Sequence, residues 1–214
     1  MHITKIERAK KRIPTYHIYY DDTLLLSVTE ETLIHFRLSK GMRLSEEVLD
    51  EIYRFDQIQR CSLQAIRYLS RRGHFEQELR QKLRKKGYET EIIDNTLQDL
   101  RQKHYLNDLS LMKQFVHDGI HLRRYGPLLL KQKLLNKGLP ADTIEAYLQD
   151  AYPEKLQQEV ATNLAQKKLS VLPEKISAQQ RRQKLSAFLQ QRGFTWNVIR
   201  PIVETLAAEK PENE

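Results

Sequence analysis

The chain contains a single cysteine, Cys61, among 214 residues, so no intrachain disulfide can form. Glycine and proline are scarce, at seven each, which disfavours a turn-rich strand fold and favours helices. No apolar run approaches the roughly 20 residues that a membrane-spanning helix needs. The opening stretch MHITKIERAKKRIPTYHIYY has no continuous apolar core, so no signal peptide is expected. The lone thiol fits a reducing cytoplasm but also fits other places; a cytoplasmic protein with no membrane partner is the expectation.

Catalytic motifs are missing as well. There is no GxxxxGK[ST] phosphate loop, so no nucleotide site is expected. His117 and His121 fall four apart on an expected helix, but Asp118-Gly119-Ile120 between them lacks the glutamate of a zinc-protease motif and no third ligand follows. No metal and no other cofactor is expected. Asp21-Asp22, Glu30-Glu31 and Glu46-Glu47 lie at a turn and at two helix starts, where turn chemistry and helix dipoles explain them better than acid–base work. Cys61 has no histidine motif around it and reads as structural. The chain is read as a non-enzyme.

What is present is a repeat. LRQKLRKKGY (79–88) returns as LKQKLLNKGL (130–139) and, altered in the middle, as LSAFLQQRGF (185–194). Each copy places Leu eight and four residues before a Gly: Leu79, Leu83, Gly87; Leu130, Leu134, Gly138; Leu185, Leu189, Gly193. Six residues after each Gly come Ile93, Ile144 and Ile199; ten after come Leu97, Leu148 and Val203. Matching apolar positions at near-constant spacing mark a tandem supersecondary unit. Each Gly is placed just beyond a helix, where a positive φ costs little only for glycine.

The expected fold is mainly α: three-helix repeats in tandem, forming an elongated curved body, preceded by a small β-rich module. Residues 1–55 form that module, with strands near 3–9, 15–20 and 23–28. Asp21-Asp22 turns the second hairpin, and Ile18, Tyr20, Leu24, Leu26 and Val28 are expected on one face. KKRIP (10–14) is a basic loop. Thr29 and Ser45 are expected to cap helices over about 30–37 and 46–55. Repeat one spans 56–104, its first helix near 57–71 burying Leu63, Ile66 and Leu69. Repeat two spans 105–152, with Asn107 or Asp108 as a cap, Leu111, Phe115, Ile120 and Leu122 on the apolar side, and Pro127 and Pro140 opening helices. Repeat three spans 153–208 and holds a long link at 169–177. In its last helix, built on Trp196, Val198, Ile199 and Val203, Pro201 predicts a kink or a late start. Residues 209–214 are an acidic tail.

The net charge of +8 is uneven. Residues 60–138 hold 17 Lys and Arg against 8 Asp and Glu, whereas residues 1–59 hold 9 against 10. A field concentrated on the first two repeats favours an anionic partner, nucleic acid or an acidic protein surface. Most single cations of this kind are solvated surface groups; the clustering is the signal. The candidates are Arg71, Arg72, Arg80, Lys82, Arg84, Lys85 and Lys86 in repeat one, and Arg123, Arg124, Lys131, Lys133 and Lys137 in repeat two. Lys82, Lys85 and Lys86 share a helix face. Lys82 matches Lys133 in the repeat, and Arg80 matches Lys131; repeat three has Ala187-Phe188 in that middle, so repeats one and two are expected to carry more of the electrostatics. Tyr88 and Tyr125 have the rings to stack on a base, with packing the stronger reading for Tyr88.

AIRYLSRRGHFEQELRQKLRKKGY (65–88), YLNDLSLMKQFV (105–116) and RRYGPLLLKQKLLNKGL (123–139) resemble the RecX regulatory family in order and spacing. ITKIE, YHIYYDDTLLLSV and LSKGM resemble the β-rich extension of its longer members. Asn107 stands where the family usually has Asp, and Leu109-Ser110-Leu111-Met112 replaces an Ala-containing run. The resemblance covers about 60–150 strongly and 151–208 more loosely. It implies a monomeric regulator in DNA repair, recombination and the SOS response. Such a protein binds the RecA recombinase filament, with single- or double-stranded DNA in or beside it, and lowers its recombination and co-protease activities. The alternative reading of the residues is a basic helical DNA-binding protein that acts without a recombinase.

Overall fold

A computed structural model describes residues 1–10, 14–173 and 176–208. The chain divides into two compact units, Met1–Asn107 and Asp108–Glu214. The middle of the basic loop at 10–14, part of the link at 169–177, and the acidic tail lie outside the described residues.

In the first unit, β1 (Lys5–Ala9), β2 (Thr15–Tyr20) and β3 (Thr23–Thr29) form an antiparallel meander in the order β1-β2-β3. Asp21 and Asp22 take φ of 44° and 60°, the two left-handed residues that a two-residue hairpin turn matching the sheet twist requires. Ile18 pairs with Leu26, but a bulge follows, and Tyr19 then pairs with Leu24. The bulge divides the face expected from alternation. Leu25 packs toward the core of Ile3, Ile18, Val28, Leu38, Leu44 and Ile52, while Leu24 is left 49% exposed.

Thr29 ends β3 and caps α1 (Glu30–His35), its hydroxyl accepting from the Thr32 amide. Ser45 likewise caps α2, which runs unbroken over Glu46–Leu69. Two helices meeting near residue 56 were expected. The stretch contains no Gly or Pro, and Asp56, only 3% exposed, ties the helix to the sheet. Its carboxylate accepts from the Thr29 amide at 2.6 Å and the Thr32 hydroxyl at 2.9 Å, and it pairs with Arg60, which also donates to the Ser27 carbonyl at 2.8 Å. A buried carboxylate is tolerable when its oxygens are satisfied in this way.

Anchoring at Ile52 and Asp56 also sets the roll of α2. The small residues Cys61 and Ala65 are fully buried, and Leu63 and Ile66, expected inside, are over 40% exposed. Cys61 and Ala65 share a core with α3 (Glu76–Arg84) and α4 (Thr90–Gln102) through Leu79, Leu83, Ile93, Leu97 and Leu100. Tyr88 packs at its edge.

The second unit holds α5 (Asp108–His121), α6 (Pro127–Leu135) and α7 (Ala141–Ala151), then α8 (Glu154–Leu169), α9 (Ala178–Gln191) and α10 (Trp196–Ala208). α5 stops at His121, so Leu122, expected on its apolar side, is 73% exposed; Met112 and Val116 fill the core instead. α10 starts five residues before Pro201 rather than late, because Val198 and Ile199 both donate to the Thr195 carbonyl and lock the first turn. Val198, Ile199, Ile202 and Val203 are buried there, and Trp196 is exposed.

The repeat frame is realised in all three copies. Gly87, Gly138 and Gly193 have φ of +89°, +86° and +88°. The amide after each Gly reaches back to the Leu carbonyl of the preceding helix: Tyr88 to Leu83, Leu139 to Leu134, Phe194 to Leu189. This bond closes the helix end of a glycine-terminated helix. All six framing leucines are fully buried.

Repeats two and three are joined by backbone. The Gly126 amide donates to the Arg192 carbonyl at 2.7 Å, and the Leu128 amide to the Gly193 carbonyl at 3.0 Å. A Cβ on Gly126 would lie 2.3 Å from the Gly193 carbonyl carbon, and one on Gly193 would lie 2.4 Å from the Leu129 backbone nitrogen. A Cβ on Gly87 would meet nothing within 4 Å. Gly126→Ala is therefore expected to destabilise the second unit by about 3 kcal/mol or more through overpacking against backbone, and Gly87→Ala to cost only the roughly 1–2 kcal/mol of a left-handed alanine. Urea unfolding of the full chain, followed by circular dichroism, tests the order; equal losses would contradict it.

Candidate functional site

The twelve candidate cations fall into two unequal groups in each unit. In the first unit, Arg80 pairs with Asp94 and approaches Glu76 at 3.6 Å, while Arg101 reaches Glu76 at 3.2 Å. In the second, Lys131 pairs with Glu145. The two pairs are repeat equivalents. Each cation lies seven residues before the framing Gly and each acid seven after, so both link the second helix of a repeat to the third. In repeat three those places hold Ser186 and Arg200, and Arg200 pairs with Glu204 on its own helix.

Lys82 and Lys133 are also equivalent, and both are half-buried over a tyrosine. The Lys82 ammonium is 5.1 Å from the Tyr68 ring centroid, and that of Lys133 is 5.1 Å from the Tyr125 ring. The same place in repeat three is Phe188, and the polarity of the contact is exchanged: Lys168 of α8 lies 5.6 Å from the Phe188 ring. Lys137 lies 5.6 Å from the Phe115 ring. The Lys82–Tyr68 and Lys168–Phe188 contacts each join two helices, whereas Tyr125 lies in the turn before α6; a cation over a ring leaves part of its charge facing outward.

Lys82 has a second neighbour. His74, 4% exposed, places Nε2 2.6 Å from the Lys82 ammonium and Nδ1 2.9 Å from the Arg72 carbonyl. Both contacts are satisfied at once only by neutral His74, with Nδ1–H donating to the carbonyl and Nε2 accepting from the lysine. Burial holds the His74 pKa below the usual 6.5; the Arg72 carbonyl opposes this, and the Arg72 and Lys82 charges add to it. Arg72 itself pairs with Glu78 at 2.7 Å.

The remaining cations are not spent in this way. Arg71, Arg84, Lys85 and Lys86 are exposed and make no ion pair among the described residues. Three of them surround the C-terminal end of α3, where Lys85 is the cap residue and Gly87 faces open space. Helix C-termini favour positive charge, so the cluster is locally stable without an acid. In the second unit, Arg123 is exposed and lends its carbonyl to Arg192 at 3.2 Å, and Arg124 takes φ of 54° in the turn before Gly126. Lys131 and Glu145 line a groove of about 440 Å³ with Pro127, Leu128, Tyr152 and Thr195.

Sequence reasoning named the cations and missed their partners. Tyr68, His74, Glu76, Asp94 and Glu145 are what separate engaged from free charge. The symmetric placement of Arg80 and Asp94 about Gly87, repeated by Lys131 and Glu145 about Gly138, was a readable signal. His117 and His121 are exposed with ring centroids 4.6 Å apart, and among the described residues no group of three or more His, Cys, Asp or Glu is placed to hold a metal ion. Burial raises the Cys61 thiol pKa, which keeps it protonated and unreactive. No helix among the described residues is long and apolar enough to cross a membrane.

Comparison with known proteins covers the whole chain. Models of the first, second and third three-helix domains of RecX match residues 63–100, 107–148 and 156–203. The chain is 31% identical over 212 residues to the regulatory protein RecX of Streptococcus agalactiae serotype V, covering 99% of this chain and 80% of that one. It is 33% identical over 215 residues to that of Streptococcus mutans serotype c, covering 100% and 81%. A crystal structure of regulatory protein RecX superposes with a TM-score of 0.72 at 29% identity, over 95% of this chain and 98% of that one. RecX from Lactobacillus salivarius gives 0.62 at 26%, over 71% and 97%.

The His74 arrangement has a pH signature. The unfolded chain takes up the proton first, so the stabilisation is whole above about pH 6.5 and is lost as pH falls through the lowered folded value. The thermal midpoint is expected to drop between pH 7.5 and 5, and to drop less in His74→Gln. An equal drop in the variant would remove His74 from the balance.

Proposed function

The chain belongs to the RecX family of regulatory proteins, and on that premise we propose that it binds the RecA recombinase filament in the cytoplasm and lowers its recombination and co-protease activities. The observation that carries this reading is the free cationic end of α3. Of the cations in repeat one, Arg80 and Lys82 are held inside the fold, whereas Arg84, Lys85 and Lys86 are exposed around an open helix terminus. Such a cluster suits an acidic protein surface or the phosphates of DNA within a filament, and it accelerates encounter with either. The α9 terminus, by contrast, is occupied by α6, so the third repeat has no equivalent end to offer. No chemical step is needed for this activity: occupying filament sites lowers the recombinase's own turnover.

Adding the full chain to RecA-driven strand exchange at or below one protein per recombinase tests the reading; unimpaired exchange would sink it. A chain carrying both Lys85→Glu and Lys86→Glu is expected to need about tenfold more protein for half-inhibition, as when interface charges are reversed. Lys167→Glu, on the exposed side of α8, is expected to behave like the unaltered chain. The alternative of recombinase-independent DNA binding separates cleanly. It requires steeply salt-dependent affinity for bare duplex, with strand exchange inhibited only as far as free DNA is sequestered.

A further inference from the structure

The glycine-ended helices differ in what stands beyond them. At α9 the start of α6 closes the end: the Gly126 amide donates to the Arg192 carbonyl at 2.7 Å and the Leu128 amide to the Gly193 carbonyl at 3.0 Å. The leading amides of one helix and the last carbonyls of another are both left over by their own ladders, so a helix start can stopper a helix end. By the repeat, Lys86 and Gly87 stand where Arg192 and Gly193 do. The α3 end also has the same backbone form. The Gly87 amide returns to Arg84 as that of Gly193 does to Gln190, the Tyr88 amide returns to Leu83 as that of Phe194 does to Leu189, and φ is +89° at Gly87 against +88° at Gly193. Yet the Lys86 and Gly87 carbonyls accept no backbone hydrogen bond among the described residues, and a Cβ on Gly87 would meet nothing within 4 Å. The seat that α6 fills at α9 is formed and open at α3.

We propose that the α3 end is a seat for the start of a partner protein's helix, one with acids in its first turn. The leading amides of that helix donate to the Lys86 and Gly87 carbonyls, as Gly126 and Leu128 do at α9. Charge selects the acidic start. α6 opens with no acid, and the end it covers has only Arg192, which is turned onto the Arg123 carbonyl. Arg84, Lys85 and Lys86 stand exposed around the α3 end, where first-turn carboxylates would meet them while also answering their own helix dipole. Glu89 and Glu91 follow Tyr88, but they lie at the start of α4, in that helix's own positive end. Phosphate would answer the cations but offers no donor to the two carbonyls. The seat rests on the filament reading of this end for the identity of the helix that fills it.

Gly87→Asn tests the seat. It keeps every charge and tolerates a positive φ, because asparagine enters the left-handed region more readily than other side chains. Its side chain stands where the partner helix must lie: a Cβ on the equivalent Gly193 falls 2.4 Å from the Leu129 nitrogen. In RecA-driven strand exchange the variant is expected to need about tenfold more protein for half-inhibition, the scale of losing an interface anchor. Its affinity for a labelled thymidine oligonucleotide, read by fluorescence anisotropy, is expected to stay within about twofold, because phosphate binding follows charge. A circular dichroism melt checks that the variant is folded at the assay temperature. Full inhibition by Gly87→Asn, beside impaired inhibition by the chain with Lys85→Glu and Lys86→Glu, overturns the seat and leaves the filament reading standing. Equal losses toward filament and oligonucleotide overturn it too. Should the unaltered chain leave strand exchange untouched, the filament reading fails by itself and a second probe decides the seat. A helical peptide opened by Ser-Pro-Glu-Glu, titrated into the isotope-labelled chain, is expected to shift the Gly87 and Tyr88 amide resonances. A peptide of the same composition with its acids in the last turn is expected to leave them in place. No shift, or equal shifts from both peptides, overturns the proposal.

Discussion

In the second unit, the start of α6 has amides with no partner in their own helix, and the end of α9 has carbonyls with the opposite need. They meet directly, Gly126 and Leu128 donating to Arg192 and Gly193. Buried main-chain groups must be paired, and here each repeat supplies what the other lacks. Pro127 falls between the two donors, where its missing amide costs nothing. The contact is close enough that neither glycine can carry a Cβ. Leu130 and Leu134 on one side, and Leu185 and Leu189 on the other, are then held at fixed depth in the core. Gly193 therefore has two duties, ending α9 with a positive φ and admitting α6, while Gly87 has only the first.

The same repeat frame uses its cations in three ways. Repeat one spends Arg80 and Lys82 on Asp94 and Tyr68 and leaves Arg84, Lys85 and Lys86 outside. Repeat two spends Lys131 and Lys133 alike, and Lys137 lies against Phe115. Repeat three has lost the ion pair, and its aromatic and cation have changed places in Phe188 and Lys168. Packing between second and first helices thus survives inversion of the pair, because a cation over a ring is indifferent to which helix supplies which. The outward field is not so indifferent: it follows the cations that no acid neutralises.

Much of this was legible in the sequence for a definite reason. The Leu–Leu–Gly frame is local: helix periodicity, a glycine terminus and a following apolar residue all lie within a few turns, and all three copies form as read. The hairpin turn at Asp21-Asp22 and the caps at Thr29 and Ser45 are local too. What was misread depends on distant partners. Leu63 and Ile66 have helical spacing as good as that of Cys61 and Ala65, but the roll of α2 is decided at Asp56, by its bonds to Thr29 and Thr32. The bulge that exposes Leu24 leaves no mark in the unbroken run Leu24-Leu25-Leu26. Free and engaged lysines look alike until Tyr68, His74 and Tyr125 are in place.

α2 also has a consequence for how the β-module and the end of α3 relate. A helix of 24 residues is about 36 Å long, and it is pinned to the sheet at one end by Asp56 and Arg60 and to α3 and α4 near the other by Cys61 and Ala65. No glycine or proline interrupts it, so there is no built-in hinge between these anchors. The β-module and repeat one therefore share one rigid element rather than a linker. The end of α3 is therefore held in a fixed relation to the sheet. A partner seated at the end of α3 is thereby presented to the β-module in one orientation, without any change of conformation.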